Sequence, residues 1–125
     1  MIIDDDDGMR EILSQALIRA GYIVVHCADG ADVIEALKKY PADLLITDLF
    51  MQETDGLGAI PKVRQQFPET KIIAISGGSI LTDHDYLPLA AGLGAHRTLH
   101  KPIDASLLLK TVRELLPDPS ASEAA

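Results

Sequence analysis

The sequence predicts an α/β domain built on a doubly wound, five-stranded parallel sheet with helices on both faces. Three observations predict it. Short apolar runs alternate five times with stretches of helical spacing. One run, residues 43–47 (DLLIT), is continuously apolar after its first residue, as befits a strand covered on both faces. Polar residues able to do chemistry stand where the runs end: Asp4, Asp5, Asp48, Ser76 and Lys101.

The first run, residues 1–3 (MII), stops at four carboxylates, Asp4, Asp5, Asp6 and Asp7. From Met9 onward Ile12, Leu13, Ala16 and Leu17 recur at helical spacing, and Gly21 supplies the stop. Residues 22–27 (YIVVHC) are short and β-branched and read as the second strand. Asp29 and Gly30 open a second helical pattern, with Val33, Ile34 and Leu37 on one face, closed before Pro41. The third strand ends at Asp48. A helix follows over residues 57–67, and Pro61 is expected to kink it or delay its start. Residues 71–76 (KIIAIS) form the fourth strand, with Gly77 and Gly78 behind it. Helical spacing returns over residues 86–93, although Pro88 restricts where that helix begins. Residues 95–100 are the fifth strand and residues 104–116 the closing helix. Residues 117–125 (PDPSASEAA) read as a flexible tail or the start of a linker, which leaves residues 1–116 as the domain.

Composition narrows the function. Eleven Lys and Arg against nineteen Asp and Glu leave a net charge of −8 with histidine neutral. Direct binding to nucleic acid or to an anionic membrane is therefore not expected, because phosphate contacts need basic groups. Cys27 has no second cysteine for a bridge and no cluster for zinc. Tryptophan is absent, so stacking platforms are not expected. No apolar run approaches ~18 residues, and no basic leader precedes one, so a cytoplasmic location is expected.

In doubly wound sheets, polar residues at the carboxyl ends of the strands converge where strand order reverses. Three carboxylates gathered there repel one another, and either a divalent cation or a protonated carboxyl relieves the repulsion. Mg²⁺ suits such a site, being a hard cation held by one or two carboxylates together with waters and phosphate oxygens. Lys101 adds a point charge, Ser76 a hydroxyl, and Gly77 and Gly78 backbone N–H groups that an anion can approach. These are the parts needed to transfer a phosphoryl group to an aspartate. Asp48, at the end of the buried run, is the natural acceptor, with Asp4 and Asp5 left to hold metal.

Four motifs in order carry a family resemblance: I-I-D-D-D-D-G-M-R-E-I-L, D-L-L-I-T-D-L-F-M-Q-E-T-D-G-L, A-I-S-G-G and L-G-A-H-R-T-L-H-K-P-I. With them the chain resembles a response-regulator receiver domain of two-component signalling. The resemblance implies a flavodoxin-like (βα)5 fold with strand order 2-1-3-4-5. It implies Asp48 as the phosphoacceptor, and Asp5, Asp48 and the backbone carbonyl of Phe50 as direct Mg²⁺ ligands, with Asp4 acting through a water. Ser76 takes the switch position, and Lys101 precedes a usually cis-linked proline, Pro102. Asp55 and Gly56 match the end of the acceptor loop. A sensor histidine kinase or histidine phosphotransferase is the implied donor, docking on Met9, Ile12 and Pro102; the downstream partner is not specified. The chain departs from the family at Gln52, where proline is usual, and at Thr98, where many members carry an aromatic reporter. Its first strand is also shorter than normal.

Simpler readings stand beside these. Asp6 and Asp7 are expected only to cap the first helix. Taken singly, Asp48 is a strand-ending polar residue, Lys101 a surface lysine and Ser76 a turn residue. His26, His84, His96 and His100 lack a metal-binding spacing, although His96 and His100 share strand parity with Thr98 and could replace the missing aromatic. Cys27 reads as a small buried hydrophobe. The acidic run is out of register for a calcium loop, and the chain is too short for a hydrolase built around Ser76.

The leading expectation is a signalling phosphoacceptor rather than an enzyme with turnover. The alternatives are a haloacid-dehalogenase-type Mg²⁺-dependent phosphatase using Asp4 and Asp6, and a receiver-like scaffold that is never phosphorylated. Whether the domain stands alone or belongs to a longer regulator is left open by the tail.

Overall fold

A computed structural model of the chain describes residues 1–4, 6–27, 33–49, 56–76 and 87–116. Its elements are β1 (Ile2–Ile3), α1 (Asp7–Arg19), β2 (His26–Cys27), α2 (Val33–Lys39), β3 (Leu44–Asp48), α3 (Gly56–Gln66), β4 (Lys71–Ser76), α4 (Leu87–Leu93), β5 (Arg97–His100) and α5 (Ala105–Leu115). The strands form one parallel sheet in the order β2-β1-β3-β4-β5, as the family resemblance implied.

The sheet alternates its side chains between two apolar layers, which is the period-two geometry of a strand. Ile2, Leu44, Ile46, Ile73, Ile75 and Leu99 pack with Leu13 and Leu17 of α1 and Leu108 and Val112 of α5. Ile3, Leu45, Ile72 and Ala74 pack on the other face with Leu37 of α2, Ile60 and Val63 of α3, and Ala90 of α4. Every residue of β3 is buried, as its unbroken apolar run requires.

Several boundaries differ from the sequence expectation. β2 covers only His26 and Cys27, not residues 22–27. Its single neighbour, β1, offers just two residues to the ladder, joined by one further bond from Ile2 N–H to Val25 O at 2.9 Å. The preceding apolar stretch therefore lies outside the sheet, and Ile23 is 97% exposed. β5 begins at Arg97 rather than residue 95 because a turn at Gly94, with φ of 123°, delays it. Pro61 does not delay α3; the helix starts at Gly56 and carries the proline inside it. α4 begins at Leu87 and α5 at Ala105, the latter capped by Asp104, whose side chain accepts from Ser106 N–H.

Asp6 is the N-cap of α1, accepting from Met9 N–H at 3.1 Å, and Asp7 opens the helix. The peptide between Lys101 and Pro102 is cis. The expected tail, residues 117–125, lies outside the described residues. No helix among the described residues is long and apolar enough to cross a membrane.

Candidate functional site

Strand order reverses between β1 and β3, and the carboxyl ends of β1, β3, β4 and β5 open on that side. Asp4 follows β1 directly, Asp48 ends β3 and Ser76 ends β4. Lys101 leaves β5 with its backbone N–H on Ser76 O at 2.9 Å, so the ladder itself sets where its side chain starts. The ammonium of Lys101 donates to Asp48 Oδ2 at 2.8 Å and lies 3.1 Å from Asp4 Oδ2. Residues 4, 48 and 101 are thus gathered around one nitrogen.

Asp4 is 1% exposed and Asp48 4%. Burial works against the charge on Lys101, but the pairing with Asp48, and then with Asp4, outweighs it and raises the lysine above its ordinary range. Asp4 Oδ1 accepts from Asp6 N–H at 2.9 Å. Asp4 Oδ2 is buried and, although ion-paired with Lys101, accepts no aligned hydrogen bond. Two buried carboxylates share one ammonium, so the site carries an excess of negative charge.

That surplus, the hard oxygen donors and the incompletely satisfied Asp4 Oδ2 suit a small divalent cation. Among the described residues, no group of three or more His, Cys, Asp or Glu is placed to hold a metal ion. Asp5 and Phe50, the other ligands implied by the resemblance, lie outside the described residues, as do Gln52, Asp55, Gly77, Gly78 and His84.

Ser76 is buried and pairs with His100 across the β4–β5 ladder. Thr98 faces Ala74 in the same ladder and is half-buried. His96 precedes β5, and its ring is engaged elsewhere: Nδ1 accepts from Ile72 N–H at 3.0 Å. Of the two histidines with the parity of Thr98, only His100 belongs to the strand. Cys27 is half-buried rather than buried.

Among the expected docking residues, Ile12 is 59% exposed and Pro102 is exposed, whereas Met9 is half-buried against the α1/α5 core. Ile12 lines a groove of about 590 Å³ between α1 and α5, together with Ala16, Ala105 and Leu109.

Sequence reasoning missed Arg10. Its guanidinium donates to the Asp4 carbonyl and pairs with Asp7, one helical turn back. The available signal was the acid–base pair three residues apart in the first turn of α1.

Known proteins match this chain in sequence and in fold. A profile of the response regulator receiver domain fits residues 1–113. The chain belongs to the receiver-domain family of response regulators. This receiver domain is 39% identical over 77 residues to the response regulator receiver protein CpdR of Brucella abortus, covering 62% of this chain and 64% of CpdR. It is 34% identical over 103 residues to the DNA-binding transcriptional regulator NtrC of Escherichia coli, covering 82% of this chain but 21% of NtrC. Among solved structures it resembles the chemotaxis protein CheY4 of Vibrio cholerae, with a TM-score of 0.79 and 28% identity over 92% of this chain and 95% of that one. The receiver domain of NtrX from Brucella abortus shares the fold with a TM-score of 0.82, at 23% identity over 92% of this chain and 95% of that one.

Proposed function

We propose that this receiver domain accepts a phosphoryl group on Asp48 from a phosphohistidine, with Mg²⁺, and that the modified site changes what the domain binds. The observation that carries the reading is the convergence of Asp4, Asp48 and Lys101, with the ammonium 2.8 Å from Asp48 Oδ2. In the proposed step an oxygen of Asp48 attacks phosphorus and the P–N bond breaks. The electron pair returns to the donor imidazole, which takes a proton.

Asp5, Asp48 and the Phe50 carbonyl would hold Mg²⁺, with Asp4 acting through a water. The cation supplies charge neutralisation to the phosphoryl oxygens. The chain's own residues do the positioning. Lys101 releases Asp48 Oδ2 and carries its charge to a phosphoryl oxygen, and Ser76 offers its hydroxyl to another. Thr98 is smaller than an aromatic residue, so movement at Ser76 is read out by the β4–β5 surface without a large ring.

A sensor histidine kinase or histidine phosphotransferase is the proposed donor, seated on α1 and the residues beyond β5. Exposure of Ile12 and Pro102 supports that seat. The test is modification by acetyl phosphate in the presence of Mg²⁺, followed by mass spectrometry. The wild-type chain should gain one phosphoryl group and Asp48→Asn none. Labelling that survives Asp48→Asn and disappears with Asp4→Asn overturns the reading in favour of the phosphatase alternative.

A further inference from the structure

Four consecutive carboxylates, residues 4–7, lead in sequence from β1 to α1, and the last of them opens the helix. Like charges this close repel, and the chain must nevertheless present Asp4 in a buried position. Arg10 resolves the conflict. It stands one helical turn into α1, and its side chain folds back with only 13% exposure. One nitrogen, Nη1, donates to the backbone carbonyl of Asp4; the other, Nη2, pairs with Asp7 Oδ1.

Asp6 is tied independently of that side chain. Asp6 N–H donates to Asp4 Oδ1 at 2.9 Å, and Arg10 N–H to the Asp6 carbonyl at 3.0 Å. Arg10 therefore holds the backbone of Asp4 while leaving Oδ2 directed at Lys101, 3.1 Å away. Neither guanidinium contact involves Asp48 or Lys101. Only a planar fork can serve a carbonyl and a carboxylate at once in a fixed geometry; an ammonium is a single point of charge on a flexible stem.

Mg²⁺ demands nearly ideal octahedral geometry, whereas Ca²⁺ accepts six to eight oxygens in flexible arrangements. Rigidity in the acidic segment is thus worth more to the smaller ion. We propose that Arg10 is a positioning residue whose clamp on the Asp4 carbonyl and Asp7 makes the site select Mg²⁺ over Ca²⁺; this rests on the cation site of the proposed function. The clamp works against its own charge, because a guanidinium near the site repels any cation. A purely electrostatic Arg10 would therefore weaken Mg²⁺ binding, and its removal would tighten it. A positioning Arg10 has the opposite sign.

Calorimetric titration of the full chain with Mg²⁺ and with Ca²⁺ separates the two, using wild type, Arg10→Lys and Arg10→Gln, with thermal unfolding run in parallel. Both variants should lose about ten-fold in Mg²⁺ affinity, the scale usual for residues that orient metal ligands. Ca²⁺ affinity should fall by less, so that the Mg²⁺/Ca²⁺ preference shrinks. Unchanged Mg²⁺ affinity in Arg10→Lys, or tighter Mg²⁺ binding in Arg10→Gln, overturns the proposal. Equal losses for the two ions also overturn it, since a merely loosened fold weakens both alike. A wild-type chain that takes up no Mg²⁺ removes the cation site itself, and the role of Arg10 with it. Normal wild-type binding with unaffected variants removes only the role of Arg10.

Discussion

Lys101 is the residue on which the site's electrostatics turn. Its ammonium is shared by two carboxylates that have almost no water, Asp4 and Asp48. Lys101→Met leaves both acids facing each other without a counter-charge, and the cation-free fold should lose about 1–3 kcal/mol, the cost of stranding buried polar groups. The same variant removes a resident cation that competes for those oxygens. Saturating Mg²⁺ should therefore raise the melting temperature of Lys101→Met by more than it raises that of the wild type. An equal rise in the two proteins would mean that the lysine and the cation do not share ligands. The meeting of Asp48 and Lys101 was readable because each stands at or just beyond the end of a strand, and strand ends meet in this topology. Arg10 was not, because its spacing from Asp7 signals only a helix-surface pair, and nothing in the sequence marks its bond to the Asp4 carbonyl.

At the scale of the elements, His96 decides how β5 joins the sheet. The turn at Gly94 keeps the strand from starting in register with Ile72, whose N–H would otherwise be buried without an acceptor. The imidazole of His96 takes the place of a strand carbonyl: Nδ1 accepts from Ile72 N–H, and His96 N–H returns a bond to Ile72 O at 2.8 Å. His96→Leu should cost about 1–3 kcal/mol through that stranded amide, and His96→Asn should recover part of it. The arrangement requires a neutral ring. Burial first, then the charges of Arg64 on α3, Lys71 on β4 and Arg97 on β5, hold its pKa below the usual 6.5. The unfolded chain therefore binds the proton more readily than the folded one, and stability declines as pH falls below 6.5 toward the folded-state value. Urea unfolding at several pH values should show that decline in the wild type and less of it in His96→Asn. The sequence suggested a strand over residues 95–100, because parity alone cannot distinguish a backbone acceptor from a side chain that imitates one.

Across the whole molecule, α1 and α5 lie together on one face of the sheet, beside the site, and leave a groove that includes Ile12 and Leu109. Ile12 is exposed there, whereas Met9 spends part of its surface on the core. If this face receives the phosphohistidine donor, exchanging Ile12 for Glu should slow transfer from a cognate kinase or phosphotransferase while leaving modification by acetyl phosphate unchanged. Equal slowing with both donors would assign Ile12 to the site rather than to docking. Met9→Glu should show the same donor dependence but with a stability loss, because Met9 also supports the α1–α5 packing.

Local pattern by itself determined the class of this protein. Short, unbroken apolar runs suit strands of a two-sided sheet, helical spacing supplies the covering layers, and acids and a lysine at the ends of runs mark the edge where they gather. Local pattern could not determine how long the edge strands would be. A β-strand exists only as far as a neighbour pairs with it, so the six residues expected for β2 became two beside a two-residue β1. Nor could it determine which ionic groups would meet. The bonds from Arg10 to Asp4 and from His96 to Ile72 depend on where distant backbone atoms come to rest, and only the packed tertiary structure decides that.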